Sequence, residues 1–452
     1  MTIKNQVDHY KDLQSSGIST CISRCEQSIY PVGQIESCPS EKAMRNTSNS
    51  IKSFENASAA QNNNLETILN QHKKPLENTR MVTEFASRDL NPFEYLDLIE
   101  SYVPKELISS QNFTEIKDLA SRFTRNMTSF FGFESNLCED SSKSDYLLAI
   151  SSKNGEREAL LNILTNKELP PHIINREEWK NITRFTQEWV EQHSIINENV
   201  LGLWFEFDTS RSHSGFPIPN IFLQTKKIRI DTKEDLKNFK WFTKVTIPML
   251  TRKNLSMSVE KKLIEAVKKL PEKTSVIHIG TMLSRQSNDL RIVINRIKPT
   301  QVIPYLQSLG YKYSLEKLEE VIQELNRYVS RLILHLNIDD EIGEKIGLEC
   351  SFSYDKYHEE TEWEKFLDYL QEKNLCIPEK KEALLNFIGA EIDTPYTKFI
   401  SSEYIPSVMI KENKSVSSAL VRYISHIKIV YTPNKPLMAK AYPGVRLLSS
   451  TQ

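Results

Sequence analysis

The stretch Arg331–Tyr354, RLILHLNIDDEIGEKIGLECSFSY, decides the fold. In its first half Leu332, Leu334, Leu336 and Ile338 alternate with His335, Asn337 and Asp339; in its second, Ile346, Leu348, Cys350 and Phe352 alternate with Glu349, Ser351 and Ser353. Successive side chains of a strand point to opposite faces, so a period of two marks a strand with one apolar face. Two such runs joined through Asp339, Asp340 and a glycine read as an antiparallel hairpin, with the aspartates as turn residues. The apolar face must be buried. The polar face either meets open water or lines a cavity, and the reading of function turns on which.

The pattern recurs along the chain. DYLLAISSKNGEREALLNIL has apolar runs on both sides of Asn154–Gly155, a dipeptide suited to a tight turn, and is expected to form a hairpin. VLGLWFEFD pairs with PNIFLQT, SVIHIGTMLSRQSNDLRIVINRI folds back at RQSND, and SHIKIVYTPNKPLMAKAYPGV turns at Pro433–Asn434. Together with the opening stretch these predict five hairpins and ten strands. Amphipathic helices lie between them: Trp179, Ile182, Phe185 and Trp189 share one face, as do Leu263, Ile264, Val267 and Leu270 behind a Ser258 cap. TEWEKFLDYLQ carries a Thr361/Glu364 capping box, and PEKKEALLNFIG opens with Pro378 in its first turn. The expected fold class is α+β: repeated helix-helix-hairpin units forming a ten-stranded antiparallel barrel or curved sheet, with helices on the outer face.

Strands that alternate accept helices on one side only. Leu203, Phe205 and Phe207 oppose Trp204, Glu206 and Asp208; Ile277 and Ile279 oppose His278; Leu290, Ile292 and Ile294 oppose Arg291 and Asn295. Ile427, Ile429 and Tyr431 oppose His426 and Lys428, and Ala439 and Ala441 oppose Lys440 and Tyr442. The second face thus gathers proton-transfer and anion-binding groups, which favours a shielded lumen. Strand number argues the same way, because an open sheet of ten strands leaves two exposed edges. A closed barrel of ten strands is wider than the eight-stranded kind that side chains fill. The alternative is an open sheet whose second face is wet.

Composition bounds the rest. The 452 residues are 39% hydrophobic and 26% charged with a formal net charge of -1, so the chain has no global attraction for nucleic acid or anionic membrane. Its apolar runs are far shorter than the roughly 20 residues of a membrane span, and its polar opening lacks the core of a secretion signal; a cytoplasmic location is the expectation. Residues 1–88, rich in Ser, Asn, Gln and Lys, are expected to be mostly disordered, residues 89–446 to form one domain and 447–452 a tail. Cys21, Cys25 and Cys38 lack a fourth ligand at a zinc spacing, so free thiols are expected and no metal. No nucleophile elbow or phosphate-cradling glycine loop is present.

This layout of helices and antiparallel hairpins, apolar faces outward and polar faces inward, resembles the ABBA-type barrel of aromatic prenyltransferases over roughly residues 90–445. The resemblance implies a metal-independent, cofactor-free transferase of specialised metabolism. It would move a prenyl group from an isoprenoid diphosphate to an aromatic or peptide acceptor. Lys, Arg and Tyr on lumen strands would hold the diphosphate, here Arg291, Lys428, Lys440 and Tyr442. A carboxylate, Glu206 or Glu349, would guide or deprotonate the acceptor, and His335 is the candidate histidine base. Trp204, His278 and Asn337 would line the substrate space. From another class comes a non-catalytic ligand- or peptide-binding protein with a wet sheet, for which DTSRSHSGFPIPN would serve as a recognition loop. The sequence leaves the oligomeric state open.

Overall fold

The computed structural model describes residues 90–449 apart from 125–126, 128–129, 154, 167–168, 210–215, 286–288, 353–359 and 393–417. The expected disordered segment, the three N-terminal cysteines and residues 210–215 of the proposed recognition loop therefore lie outside the described residues. The strands are β1 (Phe130–Asn136), β2 (Ser144–Ser151), β3 (Val200–Phe207), β4 (Asn220–Ile228), β5 (Ser275–Thr281), β6 (Leu290–Asn295), β7 (Arg331–Ile338), β8 (Ile342–Ser351), β9 (Gly389–Ile392), β10 (Ser418–Tyr431) and β11 (Met438–Ser449).

Ten of them close into a barrel. Antiparallel pairing runs in chain order from β1 to β8, passes from β8 to β10 and β11, and returns from β11 to β1. β9 pairs only with the first part of β10, Ala419–Arg422, while Ile427–Tyr431 of β10 pair with β8. Closure removes the exposed edges an open sheet would carry. It also makes the polar faces a lumen.

The core lies outside the barrel, between strands and helices. Leu334, Leu336, Leu348, Cys350, Ile427 and Ile429 are all fully buried. On the helix Glu177–Val190 the predicted face is buried as a unit, Trp179, Ile182, Phe185 and Trp189. Trp189 also donates its indole N–H to the Val200 carbonyl at 2.9 Å, tying the helix to the start of β3. Burying a side chain of this size contributes about 1.5–3 kcal/mol each.

Three local expectations are corrected. Asn154–Gly155 does not turn a hairpin: Gly155, at φ 77, caps a helix over Glu156–Thr165 that buries Leu160, Ile163 and Leu164. Those three recur at spacings of three and four, a helical period that outweighs the turn dipeptide. The partner of β2 is β1 instead, whose Phe130, Phe131 and Phe133 are buried on both faces and so show no alternation. Second, the helix Met257–Lys268 is capped by Ser256, whose hydroxyl accepts from Val259 N at 3.2 Å; Ser258 lies inside the first turn and bonds Asp340. Third, a bulge between Val276 and His278 takes Ile277 out of step, so it clusters with Val293 and Ile333 rather than with Ile279.

Candidate functional site

Register builds the site, because directly paired residues share a face. One row runs Trp204–Phe222–Gly280–Arg291–Asn337 across β3 to β7. A second runs Gln224–His278–Val293–His335–Gly347 across β4 to β8. A third runs Ile333–Glu349–Lys428–Lys440–Asn136 across β7, β8, β10, β11 and β1. Trp204, Glu206, His278, Arg291, His335, Asn337, Glu349, Lys428, Lys440 and Tyr442 line this inner face, whereas Asn295 lines a separate cavity with Arg296 and Arg331. The inner-face residues divide between two adjoining cavities.

The larger cavity, about 700 Å³, is aromatic and histidine-rich. Phe130 and Trp204 meet edge to face at 4.9 Å, and Tyr442 stacks on His426 at 4.1 Å. His278, His335 and Glu349 complete its polar side. The smaller cavity, about 440 Å³, holds Arg285, Arg291, Lys345, Lys428 and Lys440 with Glu134, Glu206 and Asn337. Glu206, His335 and Lys428 line both cavities. A ligand can therefore place a charged end among the cations and an apolar end among the rings.

In the cationic cavity, Glu134 is the principal counter-charge. Burial opposes its ionisation, but Lys440 and Lys428, with hydrogen bonds from Lys440 and Tyr442, hold its carboxyl well below the usual range. Glu206 goes the other way: burial and the neighbouring Glu134 push its carboxyl up, against the pull of Lys428, Arg291 and Arg285. Arg285 spans Glu206 at 3.1 Å and Asp208 at 2.9 Å. Lys345 is brought down to about 8 by burial and by Lys440, Arg291 and Lys428. Lys428 is lowered as well, chiefly by burial, whereas the carboxylates around them raise Lys440 and Arg285. Arg291 is held by Asn337, to which its Nε donates at 2.9 Å, and lies 5.8 Å from the Phe222 ring.

In the aromatic cavity, burial opposes ionisation of Glu349, but its neighbours His426, His335 and Lys428 hold its carboxyl below the usual range. Burial keeps the imidazoles neutral, bringing His278 and His426 to about 4 and lowering His335 despite Glu349. His335 Nε2 lies 2.5 Å from Glu349 Oε1.

The lumen positions of Arg291, Lys428, Lys440, Trp204, His278, His335, Asn337 and Glu349 were thus readable from alternation. Tyr442 lines the aromatic cavity and reaches the cationic one, its hydroxyl donating to Glu134 and its ring 4.7 Å from Lys428 Nζ. Reading the sequence missed Glu134, Lys345 and Arg285. Glu134 sits on the strand that alternation overlooked, Lys345 stands two residues before Gly347 in β8, in step with Glu349, and Arg285 belongs to the connection between β5 and β6.

No known family profile matches the chain, and no curated protein matches it. Three solved structures are similar in shape. The apo form of the prenyltransferase PriB is 10% identical, with 80% of this chain and 98% of that one covered and a TM-score of 0.43. AnaPT from Neosartorya fischeri is 12% identical, covering 78% and 91%, at 0.45. The PriB binary complex with product diphosphate is 12% identical, covering 79% and 99%, at 0.41. The reading of function rests on the cavities themselves.

Proposed function

We propose that the protein transfers a prenyl group from an isoprenoid diphosphate to an aromatic acceptor inside the barrel. The observation that carries this is the junction at Lys428, where a cavity lined by Arg291, Lys345, Lys428 and Lys440 adjoins one lined by Phe130, Trp204, Phe222 and Tyr442. An allylic diphosphate has the matching halves, a polyanion and a short apolar chain.

The chemistry follows from the surroundings. As the C1–O bond of the allylic diphosphate breaks, negative charge builds on the leaving oxygen. Fixed cations stabilise that charge more strongly than they stabilise the bound ground state. The complementary allylic cation forms beside aromatic faces, whose quadrupoles attract positive charge. An enclosed lumen keeps water from capturing it. Of the two carboxylates proposed for the acceptor, Glu349, held low by its neighbours, suits stabilising positive charge, while Glu206, raised by burial and by Glu134, is the stronger proton acceptor. A small-molecule acceptor and a cytoplasmic role in specialised metabolism accompany this reading.

The test is binding of inorganic pyrophosphate by the full chain without added divalent metal, followed by thermal denaturation. Stabilisation should grow with the logarithm of ligand concentration once the site saturates. Absence of any shift at millimolar pyrophosphate would leave a non-catalytic ligand-binding barrel as the better account.

A further inference from the structure

We infer that a cavity at the rim of the barrel, separate from the lumen, binds an aliphatic phosphate monoester through Arg296, Lys298 and Arg331. It lies where β6 ends at Asn295 and β7 begins at Arg331, against the helices Pro299–Ser308 and Glu316–Leu325. Its volume is about 870 Å³, larger than either lumen cavity, and it shares no lining residue with them. Small-molecule sites enclose roughly 300–1,000 Å³. Three cations line it and no described carboxylate does, although over the whole chain 58 Lys and Arg are balanced by 59 Asp and Glu. Lys227 adds to the local excess: partial burial lowers its ammonium and Arg296 lowers it further.

A neutral group organises these cations. Asn295, 4% exposed, accepts at Oδ1 from the Arg296 backbone N–H at 2.8 Å and from the Arg331 guanidinium at 3.4 Å. One amide oxygen thus fixes both residues and cancels neither charge. Arg296 itself holds φ 60, a left-handed conformation that glycine enters freely and a long side chain enters at a cost. Backbone strain of this kind gathers at ligand clamps. Much of the remaining wall is aliphatic, with Ile297, Ile322, Val329 and Leu332 each at most 7% exposed. No described aromatic ring lines the cavity, so nothing there stacks a nucleobase. A carboxylate brings a single negative charge to three cations. A phosphate monoester brings about −1.5 to −2 at neutral pH, with oxygens that match the paired N–H donors of arginine. An aliphatic chain on that phosphate covers the apolar wall.

The experiment titrates octyl phosphate, kept below the concentration at which it forms micelles, into the full chain by calorimetry, beside inorganic phosphate and octanoate. Octyl phosphate should bind at least about tenfold more tightly than either, since one lacks the chain and the other the second charge. Arg296→Gly removes a cation and suits the positive φ, and Lys298→Gln changes an exposed residue, so the double variant should melt at or above the wild-type temperature. It should bind octyl phosphate at least about fivefold more weakly, the order expected for two exposed cations, with pyrophosphate binding unchanged. Lys440→Gln, in the lumen, should leave octyl phosphate binding at the rim as it is. No binding of octyl phosphate, an affinity unchanged in the double variant, equal weakening of octyl phosphate and pyrophosphate, or a loss seen with Lys440→Gln alone would each overturn the inference.

Discussion

Lys428 and Glu349 face each other across the β8–β10 ladder, and on its other side Lys428 faces Lys440 across β10–β11. One ammonium thus has a carboxylate on one flank and a second cation on the other. Its Nζ lies 3.8 Å from Glu134 and 4.7 Å from the Tyr442 ring. In a transferase this is where the leaving group, the carbocation and the attacking ring must meet. Glu134 pairs with both Lys428 and Lys440, so an anion entering this cavity competes with it.

Lys345 gives that cavity a pH limit. Its ammonium titrates near 8 because burial and three neighbouring cations disfavour its charge. Above that value the cavity loses one positive charge, so pyrophosphate affinity should fall as pH rises through about 8. Lys345→Arg keeps its charge there and should flatten the profile, while Lys345→Gln should weaken binding at neutral pH by no more than about 1 kcal/mol, because the residue remains exposed to solvent. Calorimetric titrations from neutral to alkaline pH decide the matter; identical profiles for wild type and Lys345→Arg would exclude Lys345 from the site.

Asp145 yields a prediction on stability with the opposite kind of group. Burial, then Glu134, Asp208 and Glu206, raise its carboxyl to about 7. A folded-state pKa above the unfolded one means that its contribution is fully present in acid and is lost as pH climbs through about 7. Asp145→Asn removes the charge but keeps the oxygen that accepts from Thr209 N at 3.0 Å. The variant should gain on wild type between about pH 4 and pH 7 and be more stable above that by about 1–3 kcal/mol. Urea denaturation at both ends of this window checks it; a difference that does not change with pH would mean Asp145 is not strained by its neighbours.

The two faces of the barrel should respond to truncation for different reasons. Leu334→Ala and Ile429→Ala empty fully buried positions against the helices and should cost about 2–4 kcal/mol each. His335→Ala opens less apolar space but leaves Glu349 buried with one partner fewer, so it too should destabilise, by about 1–3 kcal/mol. Adding Glu349→Leu to a His335→Leu chain should recover stability, whereas no second substitution on the inner face should rescue Leu334→Ala. Chemical denaturation of the set measures both.

Alternation made most of this legible. Wherever one face of a strand packs on helices and the other meets polar groups, as at Leu334 and His335 or Ile429 and Lys428, the sequence separates the two in plain sight. It fails where both faces are apolar or aromatic, which hid β1 and with it Glu134. It fails again at the bulge beside His278, because an inserted residue reverses the parity of what precedes it. The division of one lumen into a cationic and an aromatic cavity was beyond reach from single strands. It depends on how ten registers stagger around the barrel, bringing Lys440 beside Lys428 from a neighbouring strand and Arg291 from across the lumen.

Gly280 offers a test of that stagger. It pairs with Phe222 on one side and Arg291 on the other, and a Cβ placed on it would lie 2.5 Å from two carbons of the Phe222 ring. The ring therefore sits in the space the glycine leaves open, with the Arg291 guanidinium 5.8 Å from its centre. Gly280→Ala must turn Phe222 away, which disturbs the wall of the aromatic cavity and the seat of Arg291 together. The variant should remain folded, since the clash is with a side chain that faces a cavity, yet bind pyrophosphate several-fold more weakly, a loss of about 1 kcal/mol. Phe222→Leu removes the ring atoms in the way. Combined with Gly280→Ala it should cost less than the two single changes added together, with a coupling of about 0.5–3 kcal/mol. Pyrophosphate titration and melting of the four chains complete the cycle; strict additivity would mean that Gly280 does not hold Phe222 against Arg291.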